Sequence, residues 1–309
     1  MEHGHQLVML STNAALVDNA GSKIHFEQDT SETRSAVATR KVDWLVVDHY
    51  GIDESWEARV RSEALSILVI DDLADRFHDC DVLIDQNAFP DADKRYSSRV
   101  GPGTLLMLGP EYALLRSEFP ATRRNLDRHF ERVSHLLVSF GGADPANATE
   151  RVVSAVLEGL GETMEMVVVA GPANPHFARL RELWKRRSCI QLHRKLHQMA
   201  EVMAKADLAI GGGGVNALER CALGLPSLTY AIADNQVIPS ETLFGMGAAR
   251  YMGRIENFDS KELMAAMGQL IDNSHARASL SRKGMQLVDG LGASRTINAL
   301  LEHKKEPQS

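Results

Sequence analysis

Three cysteines in 309 residues, Cys80, Cys189 and Cys221, leave little scope for disulfide or zinc chemistry. They are widely separated and form no C-x-x-C pair, so they read as reduced thiols of a cytosolic protein. No apolar run approaches the ~20 residues of a membrane span, and the opening residues Met1 to Gln6 are polar where a signal peptide is apolar. The chain is therefore expected to be cytoplasmic, with no membrane partner. Basic charge is short too: 34 Lys and Arg against 41 Asp and Glu give a net charge of −7. No segment gathers enough cations to neutralise a phosphate backbone, which excludes nucleic acid as the expected partner. A small anion remains open, because a nest of backbone N–H groups or a helix N-terminus is enough to hold one.

What is present is an ordinary globular composition, 44% hydrophobic and 24% charged, long enough for two domains of ~150 residues. Short apolar runs recur between longer amphipathic segments: Trp44 to Val47, Ile67 to Ile70, Val82 to Ile84, Leu105 to Leu108, Leu136 to Phe140, Met166 to Ala170, Leu208 to Ile210 and Ser227 to Ile232. Apolar strands alternating with helices mean parallel sheets buried on both faces. Several runs end in acids or glycine (Asp48, Asp71 and Asp72, Asp85, Gly141, Gly211), and strand C-termini are where open α/β sheets bind ligands. The charged stretch Glu118 to Arg132 has no strand pattern and reads as an inter-domain connection, giving domains 1–130 and 131–309. The segments Ser260 to Ile271, His275 to Leu287 and Ala293 to His303 have helical periodicity.

The strongest local signal is a strand running through Gly211, Gly212, Gly213 and Gly214 into a helix that carries Glu219. Four residues without side chains let a ligand reach the backbone, and the helix opens with unpaired N–H donors at its positive end. No Lys-Ser/Thr follows and the GxGxxG spacing is absent, so neither an ATPase nor a nicotinamide enzyme is favoured. The alternative is a sharp strand-to-helix turn with no ligand. Glu219 reads either as an acceptor for ribose hydroxyls or as a carboxylate placed to suit the helix dipole. Asn235 and Gln236, after the strand Ser227 to Ile232, read as sugar-binding amides or as turn chemistry. Phe140-Gly-Gly-Ala-Asp-Pro145 reads as a helix start with Asp144 as N-cap and Pro145 at its first position, or as a second ligand loop. His49 and Tyr50 stand at a strand end, where they can orient a sugar; for His49 a purely structural bond is the simpler reading.

Taken in order, Val47-Asp-His-Tyr-Gly-Ile-Asp53, Ile70-Asp-Asp-Leu-Ala74, Asp81-Val-Leu-Ile-Asp-Gln-Asn87, Tyr112-Ala-Leu-Leu-Arg-Ser-Glu-Phe119, Ser139-Phe-Gly-Gly-Ala-Asp-Pro145, the glycine run through Glu219-Arg-Cys221 and Ala233-Asp-Asn-Gln236 resemble the UDP-2,4-diacetamido-2,4,6-trideoxy-β-L-altropyranose hydrolases of pseudaminic acid biosynthesis. The resemblance runs over most of the chain. It implies a GT-B fold, two Rossmann-like domains facing each other across a cleft, and hydrolysis of a UDP-sugar to free sugar and UDP with no metal and no cofactor. It places UDP on Gly211 to Gly214 and Glu219, the sugar on Asn235 and Gln236, Tyr50 near the reacting centre, and the general base on His5. Two departures stand out. The family opens with a strand and a first glycine ahead of its histidine, whereas this chain opens at Met1-Glu-His-Gly-His5, and Val8 stands where the family has arginine. The first strand is thus expected to be missing, through a start downstream of the natural one or a degenerate homologue. The rival readings are a GT-B glycosyltransferase and a UDP-sugar-binding protein without turnover.

Overall fold

The computed structural model describes residues 7–10, 26–37 and 41–303. The chain forms two compact units. Among the described residues the first comprises those up to Gln86, then Asp91–Tyr112 and those from Ser294 on; the second comprises Asn87–Pro90 and Ala113–Ala293.

The first unit holds a parallel sheet of β1 (Val42–Val47), β2 (Ala64–Ile70), β3 (Val82–Asp85) and β4 (Leu105–Leu108), in that spatial order. Its core gathers Val47, Ile67, Val69 and Leu83 from the strands with Trp56 and Val60 from the helix Glu54–Val60. Asp53 starts that helix by accepting the N–H groups of Ser55 and Trp56. The Trp56 indole N–H donates to Asp29 at 2.7 Å, which ties in the helix Phe26–Val37. β2 and β3 are almost wholly buried, whereas β1 is an edge strand among the described residues and its Val46 is 52% exposed.

The second unit holds a six-stranded sheet, all parallel: β5 (His135–Ser139), β6 (Glu165–Val169), β7 (Ile190–His193), β8 (Leu208–Gly212), β9 (Ser227–Ala231) and β10 (Arg250–Arg254), in the spatial order β10-β9-β8-β5-β6-β7. Alternate residues feed two cores. Leu136, Val138, Leu208 and Ile210 pack on one face with Val152, Leu263 and Met267, while Leu137 and Ala209 pack on the other with Met203, Leu218 and Leu225. The chain runs outward from β5 to β7, then returns across the sheet to β8. Helices after β5 and β8 therefore diverge, and a crevice opens at their C-terminal ends.

All eight strands expected from apolar runs are present. The two that such runs miss, β7 and β10, are the sheet edges, where Gln191, Arg250 and Arg254 break the hydrophobic pattern. The stretch 118–132, expected as a connection, is fastened to the second unit. Its helix Glu118–Arg124 is followed by Arg128, whose guanidinium donates to the carbonyls of Met203, Ala206 and Leu223. Arg123 donates to those of Ala222, Met285 and Val288. These acceptors lie at the C-terminal ends of the helices Met199–Lys205, Val215–Ala222 and Ser274–Leu287, where carbonyls lack intrahelical partners and the dipole is negative. Arg277, 1% exposed, does the same for Leu270 and Ile271 and reaches the carbonyl of Phe130. Burial pushes the Arg128 guanidinium down to about 10, with Asp207 opposing the shift.

Arg128→Ala leaves three helix-end carbonyls without their charged donor. By the usual value of hydrogen bonds to charged groups, roughly 2–4 kcal/mol of stability is expected to go. Urea unfolding is expected to show a lower midpoint with little change in slope.

Candidate functional site

Two glycine turns follow β5 and β8, Gly141-Gly142 and Gly211 to Gly214, and in the second only Gly214 is not buried. β8 can lie against β5 only because Gly211 lacks a side chain: a Cβ there would sit 2.2 Å from the Ser139 carbonyl oxygen. At Gly213 it would meet Ser240 Oγ at 2.2 Å. These two glycines are thus demanded by packing, while Gly214, extended at φ −76° and ψ −155°, is the N-cap of the helix Val215–Ala222 and offers no side-chain cap of its own. The opening N–H groups of that helix, at Val215 and Asn216, have no acceptor inside the helix, as in any first turn. Asn216 also donates from Nδ2 to Ser139 Oγ at 3.3 Å, joining the helix start to the end of β5.

The peptide between Gly212 and Gly213 is held at both ends. Its carbonyl accepts from Arg220 Nη2 at 2.8 Å, and its N–H donates to Gln236 Oε1 at 3.1 Å. Gln236 Oε1 also accepts from the Ile232 N–H at 3.2 Å. Gln236, expected at the sugar, is thus engaged through its oxygen in shaping the glycine loop. Asn235 precedes it in the short turn Asp234–Gln236.

Glu219 is 7% exposed, on the same helix. Its Oε1 lies 3.6 Å from Arg116 Nη2, and Arg116 in turn pairs with Glu118 at 2.7 Å. Burial raises the Glu219 carboxyl above its ordinary range; Arg116 and Arg220 pull the other way and Glu118 adds to the rise. A buried acceptor next to a partly exposed guanidinium is suited to a pair of hydroxyls, which give it the donors that water cannot. Arg220, one residue on, is 1% exposed and makes no ion pair among the described residues.

The second turn departs from its expected form. The helix Ala148–Leu160 has Asn147 as N-cap, and Asp144 caps it from further back, accepting from Ala148 N at 2.7 Å and from Thr149 N and Oγ1 at 3.0 and 2.6 Å. Pro145 therefore lies ahead of the helix. Asp144 adopts φ +48°, the left-handed region, which lets its carboxylate fold back over the helix start.

In the first unit Tyr50 stands in the turn after β1, 52% exposed, with its phenol hydrogen-bonded to Asp72. Burial, then the charge and hydrogen bond of Asp72 and the charges of Asp48 and Asp71, push it up to about 12, so its proton stays in the bond to Asp72. His49 Nδ1 accepts from the Gly51 N–H at 2.9 Å, a bond within its own turn. Two of the acids expected on the rim are internal: Asp71 pairs with Arg76 at 2.7 Å and accepts from the buried Tyr96 hydroxyl at 3.0 Å, and Asp85 lies 3.3 Å from Arg95 Nε. His5 lies outside the described residues; Val8 is described and is 46% exposed. Among the described residues no helix is long and apolar enough to cross a membrane, and no three His, Cys, Asp or Glu side chains cluster as a metal site.

The structure thus brings Gly211 to Gly214, Glu219 and Gln236 together in the second unit and places Tyr50 with Asp72 in the first. Arg116 and Arg220 were legible only as members of a motif. Nothing local to either signals its partner.

Two parallel α/β domains of this kind define the GT-B class of fold. MurG of Acinetobacter baumannii matches with a TM-score of 0.61 over 90% of this chain and 78% of that one, at 15% identity. Among curated proteins, the spore coat polysaccharide biosynthesis protein SpsG of Bacillus subtilis is 28% identical over 217 residues, 70% of this chain and 63% of SpsG. The UDP-2,4-diacetamido-2,4,6-trideoxy-β-L-altropyranose hydrolase of Campylobacter jejuni is 26% identical over 181 residues, 58% of this chain and 62% of the hydrolase. The match spans less than two thirds of the length of either relative. No protein-family model matches the chain.

Gly211→Ala sets a Cβ against a backbone oxygen that cannot move aside, whereas at Gly214 the nearest atom is the Gln236 amide nitrogen at 3.3 Å, on a flexible side chain. Thermal melts are expected to show a marked loss for Gly211→Ala and a near-native transition for Gly214→Ala.

Glu219 is a group whose carboxyl is raised on folding, so the folded protein binds its proton more tightly and stability falls as pH rises from the ordinary value of 4.5 through the raised one. Glu219→Gln is expected to be more stable than the parent at pH 7 and equal to it below about pH 4. Urea titrations of both proteins across that range check the sign.

Proposed function

We propose that this protein binds a UDP-sugar and hydrolyses it to UDP and the free sugar, the sugar being a 2,4-diacetamido-2,4,6-trideoxy hexose of the pseudaminic acid (nonulosonate) type. The observation that carries the reading is the conjunction, at the topological switch of the second sheet, of a glycine loop, a helix N-terminus and a buried Glu219 one helix turn away. A nucleoside diphosphate has the matching parts. Its diphosphate suits backbone N–H donors at a positive helix end, and its ribose diol suits a carboxylate acceptor. The relative in Campylobacter jejuni, named for hydrolysis of such a nucleotide sugar, supports the same substrate class.

In this reading residues 131–309 supply UDP binding and two sugar-side amides, and residues 1–130 the catalytic groups. A water oxygen bonds to the anomeric carbon while the bond from that carbon to the UDP oxygen breaks. His5 takes the water's proton, as an imidazole of ordinary pKa ~6.5 can near neutral pH. Tyr50, whose O–H is given to Asp72, offers its phenol oxygen as an acceptor near the reacting centre. Asn235 and the Gln236 amide nitrogen hold acetamido or hydroxyl groups. Negative charge gathers on the departing diphosphate, where the glycine loop stabilises it. No metal and no cofactor enters.

Phosphorus NMR of the chain with the UDP-linked diacetamido sugar, without an acceptor, is expected to show UDP appearing with turnover. His5→Ala is expected to abolish that turnover and leave UDP affinity unchanged. Intact substrate that only broadens on binding would instead support a binding protein without turnover, and release that needs an added sugar acceptor would make the chain a glycosyltransferase.

A further inference from the structure

Arg220 occupies an unusual position for a cation. It is among the largest fully buried side chains, it has no carboxylate within ion-pair distance among the described residues, and its Nε has no hydrogen-bond partner. Among the described residues its hydrogen bonds go from Nη2 to the Gly212 carbonyl at 2.8 Å and to Thr229 Oγ1 at 3.2 Å. Its Nη1 lies directly under Gly211, 2.8 Å from where a Cβ would be. Burial pushes the guanidinium down to about 10, only partly offset by the neighbouring Glu219, and the adjacent Cys221 thiol, itself pushed up to about 11 by burial, carries no charge at neutral pH.

An unpaired buried charge is kept at a cost in stability that apolar replacement usually relieves. Here the charge lies against the backbone of Gly211 and Gly212, which bring no side chains of their own between it and their peptide groups. In the low-dielectric interior its field reaches those peptides and the helix start beyond them little screened. Its hydrogen bond also fixes the sense of the loop: with the Gly212 carbonyl turned in toward Arg220 and the Gly213 N–H taken by Gln236, the following amides of the helix start are left to an incoming anion.

We infer that Arg220 is a positioning residue that makes the glycine loop selective for the diphosphate part of its ligand, supplying positive potential from below and holding the Gly212 carbonyl away from the anion. The inference rests on the nucleotide-site reading above and deepens it: Glu219 would serve the ribose and Arg220 the charge, so the two act on separable parts of one ligand.

The test compares UDP with uridine by isothermal titration of the full chain and of Arg220→Met and Arg220→Lys. Met fills similar volume without charge, and such replacement of a buried ion tends to preserve folding. For Arg220→Met the preference for UDP over uridine is expected to fall by on the order of tenfold or more, with uridine affinity little changed. Arg220→Lys, which keeps the charge, is expected to retain most of the preference. Parallel weakening of UDP and uridine in Arg220→Met, or an unchanged preference, would overturn the inference and leave the nucleotide site standing. Should Arg220→Met not fold, loss of the preference in a folded Arg220→Lys overturns the electrostatic assignment and its survival supports it. Wild-type protein that binds neither UDP nor uridine removes the nucleotide reading itself, and the inference with it.

Discussion

Between Gly212 and Gly213 a single peptide group is gripped at both ends, its oxygen by the Arg220 guanidinium and its N–H by the Gln236 carboxamide. A trans peptide sends its oxygen and its N–H in opposite directions, so fixing one fixes the other. With that peptide set, β8 ends where it does, Gly214 becomes the N-cap and the helix Val215–Ala222 begins with its donors toward the crevice. The grip requires Gly211 to pass within contact of Ser139 and Gly213 to pass Ser240, which is why side chains are missing there whatever the loop binds. Packing alone calls for glycine at these positions.

The second unit handles its buried cations in a consistent way. Arg123, Arg128 and Arg277 each turn inward to carbonyls at helix C-termini, where partial negative charge and unmet acceptors coincide. These bonds bind the stretch 118–132 and the helix Ser274–Leu287 onto the body of the unit. Arg220 differs: it meets one carbonyl and one hydroxyl, and the remainder of its charge is directed at the loop. The contrast is between three arginines satisfied by helix ends and one left short of acceptors beside the glycine loop.

In the first unit the acids at the strand ends divide in a similar way. Asp71 and Asp85 are drawn inward by Arg76, Arg95 and Tyr96 and build the unit. Asp72 instead faces Tyr50, accepts its O–H and adds to the rise that burial gives the phenol. One sequence pattern, acids at the ends of apolar strands, thus supports two physical outcomes, and only the identity of the neighbouring cations tells them apart.

The sequence by itself determined the class of fold, because parallel strands buried on both faces must be continuous apolar runs; eight of the ten strands carry that mark, and the two edge strands of the second sheet, β7 and β10, interrupted by polar residues, do not. It also located the glycine loop, the helix start and Glu219, since these are contiguous in the chain and their spacing is the motif. The tertiary structure alone decided what each polar group near them meets. Gln236 reads from sequence as an amide free to bind sugar, yet folding brings its oxygen to Gly213 and Ile232. The stretch 118–132 reads as a linker because its apolar content is low, yet its arginines find carbonyls that exist as acceptors only once distant helices have ended beside them. Local periodicity records burial, which each residue carries in its own side chain; partnership between charges and carbonyls far apart in the chain arises only when the fold brings them together.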